Sequence, residues 1–244
     1  MNLVKAFNVS ETGPSVSDEM DRLYGPFGFP DHIPADRPYV TSNFVTSMDG
    51  RASFRELLGQ LGGKEVSRSE TDAWLLNFFM AHHDASIVGA GTLRSEAGSN
   101  GVGWDLHIGP AVLEDFRHRT TGIDKQFVIV VSGSGRLDLN YLIFNSDRVE
   151  PWIATTPMGA TLIQERMATR ARKTKLIVLG ETAILDPREL LRVLRQQHGI
   201  RTLHCLGGPT FHGELLQRAL LDESFLTIST QVLGRSMEPA IERP

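Results

Sequence analysis

With a single cysteine, Cys205, in 244 residues, the chain has no means of forming an internal disulfide. It lacks any apolar run long enough to cross a bilayer, and its start, Met1-Asn2-Leu3-Val4-Lys5, carries no secretory apolar core. Positive charge is in deficit: 25 Lys and Arg stand against 29 Asp and Glu, a net of -4, which leaves no basic surplus for a nucleic-acid partner. There is no internal repeat, no low-complexity tract and no linker-like stretch. These absences predict a cytoplasmic protein that binds a small molecule, with neither a membrane nor a nucleic acid as partner. No metal is expected either. His82 and His83 are neighbours on a helical pattern, so they project about 100° apart, and no third ligand follows at a metal-site spacing. Their expected role is to cap the helix C-terminus as partners of its dipole.

What is present alternates. Strand-like runs at 39–45, 84–89, 127–131, 151–154, 175–179, 201–206 and 225–230 are separated by amphipathic helical patterns. The clearest of these are the Ser69-capped segment with Trp74, Leu75, Phe78 and Phe79, and the stretches 110–118, 159–171, 187–197 and 211–220. Strands alternating with helices predict an α/β fold: one three-layer α/β/α domain around a mostly parallel sheet. Residues 1–37, punctuated by proline and glycine, read as an N-terminal extension packed on a domain spanning 38–244. Within the extension, Ser15 to Met20 has the pattern of a short capped helix. The polar, glycine-rich stretch 51–64 reads as a mobile loop, and 98–109 as a glycine-dense connection.

Open parallel sheets bind ligands at the carboxyl ends of their strands. Five such ends carry small, hydroxylic or glycine residues: Thr46-Ser47-Met48-Asp49-Gly50, Gly89-Ala90-Gly91-Thr92, Ser132-Gly133-Ser134-Gly135, Thr155-Thr156 and Gly207-Gly208-Pro209-Thr210-Phe211. Each can be a plain turn, and each can let backbone N–H groups approach a phosphate or a cofactor ring. No Gly-x-Gly-x-x-Gly follows the first strand, so the pattern is not a Rossmann fingerprint. Among charged groups, Asp49 is either a turn residue or a catalytic acid, and Glu96 either a solvated first-turn acid or a proton donor. Arg94, and less strongly Lys64, offer a phosphate contact or a surface ion pair. Cys205 reads as core.

Thr-Ser-Met-Asp-Gly, Asp-Ala-Ser-Ile-Val-Gly-Ala-Gly-Thr and Gly-Gly-Pro-Thr-Phe with Leu221-Asp222-Glu223 occur in that order. Over roughly residues 38–235 the chain resembles the riboflavin-pathway pyrimidine reductase family, the reductase half of the bifunctional deaminase-reductase. The resemblance implies a dihydrofolate-reductase-like fold, a homodimer and use of NADPH to reduce a ribosylamino-pyrimidine phosphate. The deaminase zinc signature, His-x-Glu with Pro-Cys-x-x-Cys, is missing.

Carried over, Thr46, Ser47 and Asp49 meet cofactor and substrate, with Thr46 on the cofactor side and Ser47 on the substrate side, where Lys64 and Arg94 are added by their charge alone. Gly89, Ala90, Gly91 and Thr92 line nicotinamide and pyrophosphate, and Gly207, Gly208, Pro209, Thr210 and Phe211 open a phosphate-binding helix. Ser132, Gly133, Ser134 and Thr155, with Thr156 beside it, suit an adenosine phosphate, and Asp49 and Glu96 are the catalytic candidates. The chain departs from the family where Leu206 replaces a glutamate, where a helix arginine falls at Met80, and where no Ser-x-Trp pair accompanies 64–66. A changed substrate, a dihydrofolate-type reductase and an NADPH-binding protein without turnover are therefore alternatives.

Overall fold

The computed structural model describes residues 13–25, 27–52, 54–56, 59–61, 63–170, 174–181 and 184–234. Residues 1–12 and 235–244, the outer ends of the expected extension and domain, lie outside the described residues. After α1 (Asp18–Leu23) come β1 (Tyr39–Thr46), a hairpin of β2 (Phe54–Glu56) and β3 (Gly59–Leu61), α2 (Gly63–Ser67) and α3 (Glu70–His82). β4 (Ala85–Gly89) passes directly into α4 (Ala90–Asn100), and α5 (Ala111–Thr121) leads to β5 (Gln126–Val131). Then follow β6 (Val149–Thr155), α6 (Pro157–Met167), β7 (Lys175–Val178), α7 (Pro187–Gln196), β8 (Thr202–Cys205), α8 (Pro209–Gln217) and β9 (Glu223–Ile228).

Seven strands form one sheet in the order β7-β6-β5-β4-β8-β1-β9, and every pair is parallel. Both faces of such a sheet must be covered, which is why β4 and β5 are almost continuous apolar runs. Ile87, Ile129, Leu203 and Cys205 pack on one face against Leu190, Leu191 and Leu194 of α7 and Leu215 of α8. On the other face Val88, Val128, Val130 and Ile153 meet Leu93 of α4 and Ile163 of α6. Phe78 and Phe79 of α3 pack there with Leu113 and Phe116 of α5, and Val16 and Phe27 join them. β8 enters between β4 and β1 only after β5, β6 and β7 have been laid outward, and β9 then takes the edge beside β1, so the chain changes direction in the middle of the sheet, the place where parallel folds open a ligand crevice.

Several local readings change. The stretch 51–64 holds an antiparallel hairpin, with Phe54 opposite Leu61, where a loop was expected. α4 begins at Ala90 with no intervening turn and takes in residues 98–100 of the glycine-dense connection. α6 and α8 start two residues earlier than their amphipathic patterns, because Pro157 and Pro209 occupy the first helical turn, where a missing N–H costs nothing.

The two histidines at the end of α3 do cap it, but not as charged dipole partners. The Nδ1 of His82 lies 2.7 Å from the Phe78 carbonyl oxygen, and that of His83 lies 2.6 Å from Phe79 O. Both rings are buried. Burial pushes His82 down to about 4 and His83 well below its ordinary value; His204, buried on β8, is pushed down to about 3. Neutral rings therefore donate to the last carbonyls.

These three histidines make stability fall with acid. Their folded pKa values lie below the unfolded value of about 6.5, so below that pH the unfolded chain binds protons that the folded chain refuses. The expected slope near pH 5 approaches about 4 kcal/mol per pH unit, the share of three protons. Urea midpoints measured between pH 7.5 and 5 should drop steeply. His82→Phe should remove about one third of the slope; a flat profile would contradict burial of neutral rings.

Candidate active site

Because every sheet strand points the same way, the five motif-bearing ends lie along one edge, with those of β4 and β8 side by side. Leu206 N–H donates to Ile87 O at 2.9 Å and Gly89 N–H to Gly207 O at 3.0 Å, so the two strands stay zipped to their last residues. Beyond this point the glycines are required. Gly207 has φ +92°, and a Cβ there would lie 3.1 Å from the Phe44 ring; a Cβ on Gly208 would lie 2.7 Å from Thr92 Oγ1. The first turns of α4 and α8 therefore lie against each other. Gly91 differs: it is exposed, and the nearest atom to a Cβ there is Arg94 Nη2 at 3.8 Å.

The caps separate these helices from others of the sheet. α3, α6 and α7 start on Ser69, Thr156 and Asp186, whose side chains accept from Asp72 N, Gly159 N and Arg188 N. α4 and α8 start on Gly89 and Gly208, which offer no side-chain acceptor. Their first-turn N–H groups, those of Ala90, Gly91 and Thr92 and of Thr210 and Phe211, are thus left without a side-chain cap at two adjacent helix starts. That arrangement suits an anion.

Next to it, the ends of β5 and β6 form a second unit. Thr155 Oγ1 donates to Ser132 O at 2.6 Å and Thr156 Oγ1 to Gly133 O at 2.7 Å. A Cβ on Gly159 would strike Thr155 Oγ1, so the start of α6 is pressed onto this loop. Both threonines are fully buried. Thr155, expected to donate to a phosphate, has its one hydroxyl proton committed to Ser132 O. Ser134 is the exposed hydroxyl of the loop, with Gly133 half-exposed beside it.

After β1 the chain makes a latch. Asp49 Oδ1 accepts from Ser47 Oγ at 2.6 Å and Leu233 N at 3.1 Å, and Oδ2 accepts from Gly234 N at 2.9 Å. Arg51 Nε stands 3.6 Å away, and Arg51 N donates to Ser47 Oγ at 3.0 Å. These donors, led by the Ser47 hydroxyl, hold the Asp49 carboxyl down to about 2. The carboxylate expected to orient or protonate an acceptor is thus spent on its own chain and gives up no proton near neutrality. Ser47, expected to face substrate, is buried with its hydroxyl in use in both directions. Thr46, half-buried, adds a backbone rung: its carbonyl accepts from Ser229 N at 2.7 Å.

Glu96 fares differently. It is half-buried on α4; burial first and the charge of Glu65 second raise its carboxyl, against the opposing pull of Lys64. α2 thus brings Lys64 and Glu65 to the same place as Glu96, while Arg94, two residues earlier and so about 200° around α4, lies exposed. Met80 is fully buried against α5, near the end of α3 that feeds the amino end of β4. It cannot stand for a substrate-binding arginine at the opposite edge. Leu206 is at the ligand edge, half-buried and in contact with both apolar clusters of that face. Sequence reasoning missed Phe44 and His212, whose rings meet at a tilt with centroids 4.4 Å apart beneath Gly207, because the contact joins β1 to α8 across the fold.

Comparison with known proteins agrees with this geometry. The model of the RibD C-terminal domain matches residues 38–243. No curated protein matches the sequence. A pyrimidine reductase-like protein from Corynebacterium diphtheriae is 19% identical, covering 90% of this chain and 84% of that one, with a TM-score of 0.64. The riboflavin biosynthesis reductase Rib7 of Saccharomyces cerevisiae is 17% identical over 81% of this chain and 75% of its own, with a TM-score of 0.55. A deaminase and 5-amino-6-(5-phosphoribosylamino)uracil reductase from Thermotoga maritima is 15% identical over 85% of this chain and 51% of its own, also at 0.55. These likenesses bear on fold, a dihydrofolate-reductase-like α/β domain. The match over 38–243 identifies the chain as a member of the RibD C-terminal domain family, the reductases of riboflavin biosynthesis.

Proposed function

We propose that the chain is a cytoplasmic, NADPH-dependent reductase that transfers a hydride to a pyrimidine- or pterin-type small molecule, most like a 5-amino-6-(5-phosphoribosylamino)uracil reductase. The observation that carries this reading is the pair of glycine-capped helix starts at β4 and β8, uncapped by side chains and pressed together. The N–H groups of Ala90, Gly91, Thr92, Thr210 and Phe211 would hold the pyrophosphate, with Pro209 setting the turn. Gly89, Gly207 and Gly208 would admit the nicotinamide. Ser132, Gly133 and Ser134, braced by Thr155, would take the adenosine end, and Thr46 would border the cofactor. When bound, NADPH supplies the hydride.

The chain supplies the rest. A carbonyl or imine that accepts a hydride also needs a proton, and Glu96, whose carboxyl is raised by burial, is the group fitted to hold one. Lys64 and Arg94 would attract a substrate phosphate. Asp49, locked as a carboxylate, braces the turn under the site. Leu206 puts an apolar side chain where the family has a glutamate, which favours a substrate altered on that side. We also propose a homodimer through β9. Ser224, Leu226 and Ile228 point away from α3, and Leu226 and Ile228 are 59% and 64% exposed on an edge strand.

Titration should show NADPH binding more tightly than NADH; equal affinity would remove the adenosine-phosphate contact, and no binding would sink the reductase reading. Gly91→Val meets open space in the protein itself, so it should fold while weakening NADPH by at least about tenfold. Normal binding by the folded variant would make this helix start a mere connector.

Turnover separates the two acids. Glu96→Gln should lower kcat by about 10²-fold with NADPH affinity unchanged. Asp49→Asn should instead lower the melting temperature and speed hydrogen exchange at Leu233 and Gly234, with kcat within about threefold of wild type. The reverse pattern would return the proton to Asp49. For assembly, light scattering should give twice the chain mass, and Leu226→Asp should give a folded monomer; a wild-type monomer at micromolar concentration refutes the interface.

A further inference from the structure

Between α3 and the sheet runs a chain of polar groups inside an otherwise apolar layer. His83 Nδ1 lies 2.6 Å from Phe79 O, His83 Nε2 lies 2.8 Å from Thr41 Oγ1, and Thr41 Oγ1 lies 2.9 Å from His204 Nδ1. His204 Nε2 ends the chain, 2.8 Å from Oδ1 of the Asn43 amide. Thr41, His83 and His204 are fully buried, whereas Asn43 is half-buried.

The protons in this chain can be assigned from one end. A carbonyl only accepts, so His83 Nδ1 carries the hydrogen that meets Phe79 O. Burial first, then the neighbouring His204, and also Arg117, a cation bonded to the His83 and Asp84 carbonyls, disfavour a positive charge on His83. His83 is neutral and its Nε2 is a lone pair. Thr41 must give its single proton to that lone pair, and Thr41 Oγ1 must then accept from His204 Nδ1–H. Burial, the one influence on His204, keeps it neutral as well, so its Nε2 is also a lone pair. An amide oxygen opposite that nitrogen would set two acceptors against each other. The NH₂ end of the same amide, of nearly equal shape, satisfies it.

We propose that this relay turns the Asn43 amide nitrogen inward to His204 and its carbonyl oxygen outward, making Asn43 an acceptor for an N–H or O–H of the substrate. The place fits. Asn43 lies opposite Phe225 on β9, three residues before Thr46, at the open end of a layer where Trp74, Leu75, Leu206 and Phe225 are only half-buried. Among the described residues its second amide atom has no protein partner and is not sealed from solvent. In this apolar surround one outward acceptor selects flat heterocycles bearing a ring or exocyclic N–H over those that present only acceptors. The ligand part rests on the proposed reductase reading; the orientation of the amide does not.

Two measurements keep these apart. ¹⁵N–¹H correlation spectra of the full chain should show His204 protonated at Nδ1 and bare at Nε2. Asn43→Asp, which can only accept, should put a proton on Nε2 and raise the His204 pKa. An Nε2–H tautomer in wild type, or an unchanged His204 in the folded Asn43→Asp protein, overturns the orientation. With NADPH and the ribosylamino-pyrimidine phosphate, Asn43→Leu should raise KM by about tenfold with kcat within about threefold. An unchanged KM overturns the acceptor role. Absence of turnover in wild type refutes the reductase reading and leaves the tautomer result to decide the rest.

Discussion

The backbone bond from Gly89 N–H to Gly207 O is the rung on which the site depends. It keeps β4 and β8 paired up to the residue at which each becomes a helix, so two helix starts emerge a strand's width apart, facing the same way. Had either strand frayed one residue earlier, the N–H groups of α4 and α8 would diverge and their dipoles would act separately. Glycine at 207 and 208 follows from the closeness this rung imposes, since Phe44 and Thr92 occupy the space that side chains would need. An anion-binding surface made of backbone needs such closeness, because an N–H cannot reach out as a lysine can.

Around this fixed centre the fold sets two carboxylates in opposite states. Asp49 receives hydrogen bonds from a neighbouring hydroxyl and from two amides of the segment after β9, so its charged form is stabilised and it behaves as a clamp. Glu96 is half-buried near Glu65 and Lys64, and burial first, then the charge of Glu65, raises its carboxyl above the ordinary range. Two acids pushed apart in this way suit different ends, Asp49 holding structure and Glu96, in the proposed reaction, holding the proton.

The face of the sheet under α3 shows how a polar network can live in an apolar layer. His82, His83 and His204 sit among Phe27, Phe78, Phe79, Phe116 and Phe225. Neutral imidazoles pack there as flat rings, while the nitrogens of His83 and His204 close hydrogen bonds along one line through Thr41. The same arrangement costs stability in acid and gives direction to the Asn43 amide, so a feature of the core reaches the ligand edge.

Periodicity and punctuation by themselves determined the strands, the covering helices, the cap at Ser69, and the glycines at the ends of β4 and β8, because each is settled by contacts within one turn or one strand. They also determined that the glycine- and hydroxyl-rich strand ends share one edge, since parallel strands share a direction. What only the tertiary structure decided is what the polar side chains at that edge are doing. Asp49 looked free because its partners Leu233 and Gly234 lie 184 and 185 residues away. Thr155 looked like a donor because nothing local reveals the Ser132 carbonyl above it. Met80 was aligned to the ligand edge although α3 carries it to the other end, and Asn43 passed unnoticed as a strand residue. Local structure follows from short-range sterics and hydrogen bonds. Charge state and hydrogen-bond commitment depend instead on neighbours in space and on burial, which exist only once the distant parts of the chain have met.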